Sequence, residues 1–321
     1  PLGVALPLAV ALPLAALALA SAGSALAASP VDHPTEQLIR VHQAASSLSF
    51  AGTYVHSHGE GLFTAKIYQQ VDRARPTVRI VSLDGEPREV IRSSDGIKTF
   101  IPEQKTVRVS PMVPRLADFP ALLHGAPEDV LVHYRLKVSP GKRVAGLPTD
   151  KIELEPVDAH RYAWRYWVDR KTGLLLKSQQ MHPDGRVLAE LAFTELKVGK
   201  KVTARSRYEG QPGWTQKLED RAPMADQELR GLPTYGGFKP VSGLRSPDGQ
   251  RRQIFFSDGL ARISVFMEAN VLQAPHLPAE SPGGTSIAAV RHNNWLITAI
   301  GEVPLPTAVA LAQKVSPDPL P

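Results

Sequence analysis

The sequence predicts an α+β protein in two unequal parts, and three observations carry that reading. One amphipathic helix stands at the start of the folded region, over Thr35 to Leu48. After it, turn-forming pairs punctuate β-prone stretches about every eight to twelve residues. A second, smaller set of strands then ends in a helix near Pro306 to Val315.

The helix is read from Leu38, Ile39, His42, Ala45 and Leu48, which fall on one face at helical spacing. The strands FAGTYV, PTVRIVSL, REVIRS, IKTFIP, TVRVS, YAWRYWVD, LLLKSQQM and VLAELAF lie between turns such as Asp84-Gly85, Asp95-Gly96 and Asp184-Gly185. Short loops of this kind join antiparallel neighbours, so the strands read as a meander. A sheet with one apolar face must cover it. The covers here are the first helix and the segment PRLADFPALLHGAPEDVL, read as a short helix or lid-like loop crossing the sheet. Tyr162, Trp164 and Tyr166 alternate and share one face, as do Phe50 and Tyr54 on their own strand. Such a face either packs into a core or leaves a pocket.

From about 199 to 230 no period is sustained, and the stretch reads as a linker or wrapping segment. Beyond it come the hairpin RRQIFFSDGLARISVFMEA, a loop at 270–285, strands TSIAAV and WLITAIG, and the last helix. Ala308, Leu311, Ala312 and Val315 give that helix its apolar stripe, and Pro306 suits a first turn. A two-residue turn at Asp258-Gly259 pairs Ser257 with Leu260, Phe256 with Ala261, Phe255 with Arg262 and Ile254 with Ile263. One hairpin face is then wholly apolar and is expected against the last helix. Phe255, Leu260 and Arg262 lie on the other, mixed face, which has the character of a partner-binding patch.

The 321 residues carry a formal net charge of +6, spread thinly, with no basic run interleaved with aromatics. A nucleic-acid footprint is therefore not expected. There are no cysteines, which removes disulfides, thiol nucleophiles, Cys-based zinc sites and a lipid-modified Cys. The first 31 residues are uncharged and Ala/Leu-rich, and Ala25-Leu26-Ala27 fits a small-x-small cleavage pattern. Residues 1–28 read as an export signal with an incomplete start, since neither Met nor a basic residue precedes the apolar run. A retained anchor is the competing reading, opposed by Pro7 and Pro13.

No G-x-S-x-G, H-E-x-x-H, P-loop or dinucleotide fingerprint occurs. Ser139-Pro140-Gly141-Lys142 matches S-x-x-K in letters, but Pro-Gly makes it a turn where the motif needs a helix. His56 and His58 point to one side of a strand and lack a third metal ligand nearby. Glu153 and Glu155 share one strand face, as wet-face residues do. Catalysis is the weaker class, and no cofactor or metal is assigned.

Four stretches stand out together. Two are Ser82-Leu83-Asp84-Gly85 with Arg88-Glu89-Val90-Ile91-Arg92, and Tyr162 to Asp169 with Thr172-Gly173-Leu174-Leu175. The others are Phe256-Ser257-Asp258-Gly259-Leu260 with Ile263-Ser264-Val265, and Ile300-Gly301-Glu302-Val303-Pro304 leading to Thr307-Ala308. In this order they resemble the MucB/RseB family of periplasmic regulators of the extracytoplasmic stress sigma factor. The resemblance spans about 36–315. It departs at Pro233-Thr234-Tyr235-Gly236-Gly237-Phe238, which keeps the family's Gly-Phe and loses the Leu-Pro before it.

The resemblance implies an N-terminal half-barrel sheet similar to the lipoprotein carriers LolA and LolB, with helices on its concave side, over 33–200. It implies a linker over 201–230 and a smaller C-terminal α+β domain over 231–318 that binds an anti-sigma factor. The implied partners are the periplasmic domain of a transmembrane anti-sigma factor of the RseA/MucA type, and acyl chains of lipid, lipoprotein or lipopolysaccharide. Homo-oligomer formation is left open, and the location implied is the periplasm. Phe50, Tyr54, Ile67, Phe100, Leu122, Leu123, Tyr162, Trp164 and Tyr166 are the candidate cavity residues; Phe255, Leu260 and Arg262 are the candidate partner contacts. A LolA-like carrier with no sigma-factor partner is the alternative.

Overall fold

The computed structural model describes residues 34–59, 61–73, 75–113, 119, 123–199, 201–271, 279–280 and 283–316. The expected export signal, Leu122 and most of the 270–285 loop lie outside them. Helix α1 (Pro34–Ser47) leads into six antiparallel strands: β1 (Phe50–His58), β2 (Gly61–Asp72), β3 (Arg75–Ser82), β4 (Glu89–Ser93), β5 (Gly96–Ile101) and β6 (Thr106–Ser110). After the short helix α2 (Pro127–His133) come β7 (Tyr134–Pro140), β8 (Thr149–Pro156), β9 (Ala163–Asp169), β10 (Leu175–Met181) and β11 (Val187–Val198). The two meanders fuse where β11 pairs with β1, and β12 (Thr215–Leu218) adds beside β6 to complete a twelve-stranded open sheet.

A second, seven-stranded sheet holds β13 (Ala222–Pro223), β14 (Lys239–Arg245), β15 (Arg251–Ser257), β16 (Arg262–Ala269), β17 (Ala279–Glu280), β18 (Ser286–His292) and β19 (Trp295–Gly301). The short helix α3 (Asp226–Arg230) precedes β14, and α4 (Leu305–Lys314) closes the fold. The fold is thus α+β, with a large N-terminal sheet and a smaller C-terminal one. Among the described residues no helix is long and apolar enough to cross a membrane.

Directly paired residues of a sheet share a face. Phe50, Tyr54, Ile67, Val78, Phe193, Tyr166 and Trp164 therefore lie on one side of the large sheet, as do Ile152, Leu154 and Tyr134. Helix α1, Phe119 and residues 123–131 cover this side. Leu38, Val41, Ala44 and Ala45 are the buried line of α1, so its stripe is turned away from the expected Ile39 and His42, which are half-buried. The opposite face is wet: Lys151 pairs with Glu153 at 2.9 Å, and Lys177 sits 5.1 Å from the Trp167 ring. Glu153 also faces Arg165 at 3.6 Å, which accounts for it as an ion-pairing residue.

The small sheet buries the apolar hairpin face expected from sequence. Ile254, Phe256, Ala261, Ile263, Val265 and Met267 form one cluster with Ala308, Leu311, Ala312 and Val315 of α4. Leu311 is fully buried there, and its truncation to Ala would cost about 2–5 kcal/mol.

The hairpin register differs from expectation. Ser257 pairs with Arg262, Phe256 with Ile263, Phe255 with Ser264 and Ile254 with Val265. The loop is Asp258 to Ala261, because the Leu260 and Ala261 N–H groups donate to Asp258 Oδ1 at 2.9 and 2.7 Å. Gly259 N–H donates to Ser257 Oγ at 3.0 Å. A side-chain-capped turn thus displaces the two-residue one. The slip is two residues, so every side chain keeps its face.

The 201–230 stretch is no free linker: β12 belongs to the large sheet, while Met224 and Leu229 enter the core of the small one.

Candidate functional site

The hairpin loop is where the two sheets meet. Asp258 is buried, and its Oδ2 receives Arg161 Nη1 at 2.5 Å and Tyr134 Oη at 3.1 Å. Arg161 also grips Asp158 through Nε and Nη2, both at 2.9 Å, and donates to the Gly236 carbonyl. Its guanidinium lies 5.7 Å from the Tyr134 ring and 5.2 Å from that of Phe238, between residues of both sheets. A fully buried cation is tolerable only with its donors satisfied and its charge matched, and both conditions are met here. Burial and the facing Asp258 push the Tyr134 hydroxyl well above its ordinary pKa.

Leu260 completes the joint by entering the large sheet's core among Leu38, Val130, Tyr134 and Tyr166. His124 N–H donates to the Gly259 carbonyl at 2.9 Å. Gly236 and Gly237 have φ of 56° and 84°, and a Cβ on either would strike His160 or His133. The Gly-Phe that the 233–238 string keeps is therefore part of this joint. Glycine is required there by backbone conformation and by close approach.

A second contact lies toward the end of β1. Thr285 Oγ1 is 2.9 Å from His58 Nε2, and Gln180 Nε2 donates to the Glu302 carbonyl at 3.0 Å. Gly283 and Gly284 approach His58 and Leu188 too closely for a side chain. Desolvation raises the Glu302 carboxyl, while His58 and Arg262 pull it back down. Burial and then the His58 neighbour lower His56. Burial and then Glu302 and Asp258 push Tyr166 well up. No cluster of three or more metal-ligating side chains occurs among the described residues.

Between the two contacts lies a cavity of about 450 Å³. Trp164, Tyr166 and His56 wall it from the large sheet; Leu260, Arg262 and Glu302 wall it from the small one. Its lining mixes rings and aliphatics with hydroxyl, imidazole and charged groups. The Trp164 indole Nε1 is buried without a hydrogen-bond partner. The site can therefore take a ligand with both apolar and hydrogen-bonding parts.

The candidate cavity residues divide. Trp164 and Tyr166 stack at 5.8 Å and line this cavity. Tyr162 lines a different recess of about 590 Å³, with Arg165, His182 and Leu305. Phe50 and Ile67 are fully buried in a filled core with Phe193; Tyr54 packs on it, 5.4 Å from Phe119. Leu123 is buried beneath the hairpin loop. Those four are core, because α1, Phe119 and residues 123–131 fill the space against them.

Phe100 is a correction. It pairs with Glu89 and so lies on the opposite face, against Tyr208 and Trp214 at 6.3 and 5.9 Å. Phe255 and Leu260 are corrected as well: each is only 6% exposed, so neither presents a surface patch. The mixed hairpin face is turned toward the large sheet, since Ser264, the partner of Phe255, and Arg262 line the cavity. Arg161 and Asp258 were missed as the joint. The signal was an acidic residue in the most apolar hairpin of the chain.

Comparison with known proteins bears on the whole molecule. The family model described as the MucB/RseB N-terminal domain matches residues 33–210, and that of the C-terminal domain matches 228–316. The chain is 28% identical to the sigma factor AlgU regulatory protein MucB of Pseudomonas aeruginosa, over 88% of this chain and 91% of that protein. It is 23% identical to the sigma-E factor regulatory protein RseB of Escherichia coli, over 87% and 89%. A crystal structure of MucB in complex with periplasmic MucA superposes with a TM-score of 0.63 at 26% identity, covering 89% of this chain and all of that one. A crystal structure of MucB gives 0.64 at 27% identity, covering 87% and 96%.

Proposed function

Because the chain belongs to the MucB/RseB family, we propose that it is a periplasmic regulator holding the periplasmic part of a transmembrane anti-sigma factor. In this reading it shields the anti-sigma factor from regulated proteolysis. It lets go when an acyl chain of lipid, lipoprotein or lipopolysaccharide enters. The chain acts by binding and carries out no catalysis.

One observation carries the reading: the small sheet is locked onto the covered face of the large one, and the cavity between them needs walls from both. A lipid carrier needs only the large sheet. A two-part site suits a segment held across the joint, and a MucB structure was solved in complex with periplasmic MucA. The parts divide in function accordingly, with acyl sensing over 33–200, and anti-sigma contact over 231–318 together with the groove against the large sheet. Each methylene of an acyl chain taken from water contributes roughly 0.8 kcal/mol. A chain of about a dozen carbons could thus bias the two arrangements of the joint by several kcal/mol after costs. Trp164 and Tyr166 are the entry, since Phe50 and Tyr54 pack in core, Tyr162 lines a separate recess and Phe100 lies on the opposite face.

The test is fluorescence anisotropy with a labelled periplasmic anti-sigma segment. Binding at or below tens of micromolar, reversed by an acylated amphiphile, is expected. No binding in that range would refute the regulator. Binding unaffected by the amphiphile would refute only the release step.

A further inference from the structure

The chain between the two sheets is strapped down unevenly. Its upstream part is anchored in buried structure: Ser206 Oγ donates to Glu89 at 2.7 Å, and Glu89, only 2% exposed, is also held by Arg79 at 2.9 Å. Tyr208 and Trp214 then pack on Phe100, and Lys98 reaches Glu209 at 2.9 Å. Downstream, β12 is different. It is a four-residue edge strand, paired parallel to β6 in a sheet whose other pairings are antiparallel. All four of its side chains are exposed, including Leu218 at 71%. Among the described residues backbone hydrogen bonds hold it, such as Thr215 N–H to the Lys105 carbonyl and, just beyond, Glu219 N–H to the Val109 carbonyl, both 2.8 Å.

Only Glu219, Asp220 and Arg221 separate β12 from β13, the edge strand of the small sheet. Three extended residues reach about 11 Å. If β12 lets go, seven residues, 215–221, reach about 25 Å. We propose that β12 is a displaceable strap, and that its detachment from β6 sets how far the two sheets part and hence how wide the cavity between them opens. Side-chain burial, the main source of resistance elsewhere in the sheet, is missing from β12, so this is the segment that yields first. The strap works in the same way whatever the small sheet binds.

Two measurements decide. In the unaltered chain, hydrogen exchange should show the Thr215 and Glu219 amides exchanging about 100-fold or more faster than those of the β3–β4 ladder. Equal protection would overturn the proposal. The second uses spin labels on Lys171→Cys and Arg291→Cys, on the large and small sheets, in a chain otherwise free of cysteine. The background is Leu260→Ala, which loosens the hairpin joint. Donation alternates along β12, so the Lys217 N–H points at β6 and that of Leu218 points away. Lys217→Pro should add distances up to about 14 Å longer, and Leu218→Pro should not. Coincident distributions for the two proline variants would overturn the proposal. Should Lys217→Pro not fold, the exchange measurement decides alone.

Discussion

Replacing Asp258 by Ala removes the acceptor of Arg161 and Tyr134 and the cap on the Leu260 and Ala261 amides. Removing one partner of a buried ion pair costs about 3–5 kcal/mol, because the other charge is left uncompensated. Arg161 keeps Asp158 and the Gly236 carbonyl, so the loss should fall near the low end, about 3 kcal/mol. Asp258→Asn retains an oxygen for the two amides and should lose about 2 kcal/mol, within the range for charged hydrogen bonds. Urea unfolding is the assay, followed by tryptophan emission. Trp164, Trp167 and Trp214 report on the large sheet, and Trp295 on the small one. The joint couples the sheets, so Asp258→Ala should split one transition into two. A single transition with a loss below about 1 kcal/mol would show that the pair does not hold the sheets together.

Three further outcomes follow from the geometry. The Glu302 carboxyl is raised by desolvation. The residue as a whole is solvent-exposed, which keeps the effect small, and its ionised form costs the folded state a little stability once pH exceeds the ordinary carboxylate value of 4.5. Glu302→Gln should therefore stabilise the chain at pH 7 and lose that advantage as pH falls toward 4.5; thermal melts across this range check the sign. Gly237→Ala should lower the melting temperature by several degrees, corresponding to about 1–3 kcal/mol, since it combines a positive φ with a clash against His133. Phe100→Ala should destabilise the large sheet by about 3 kcal/mol while leaving anti-sigma affinity unchanged, whereas Trp164→Ala should weaken acyl-amphiphile binding. Urea unfolding and equilibrium binding separate the two.

Much of the fold was legible because burial repeats at the period of the element. The stripe of α4 was readable residue for residue, and the faces of the hairpin survived an error in its loop, since a two-residue slip leaves alternation intact. Phe100 was misplaced because composition does not say which face of β5 is turned inward; the ring is apolar, but its cover is the strap rather than the core helix. Strand β2 went unread, its Lys66, Gln69 and Gln70 masking the apolar alternation of Ala65 and Ile67. The joint was hidden for a different reason. Arg161 and Asp258 lie 97 residues apart, and although an acidic residue in so apolar a hairpin hints at burial, nothing local names its partner. Phe255 and Leu260 looked like a surface patch because a mixed face reads the same whether it meets solvent or another part of the same chain.

The account rests on a partner held across the joint. Hydrogen exchange of the chain with and without a periplasmic anti-sigma segment tests this most directly. The account predicts new protection in both walls of the cavity, at β9–β10 around Trp164 and Ser178 and at β16–β19 around Ser264 and Ile300. Protection confined to one sheet, or to the wet face around Trp167 and Lys177, would contradict it.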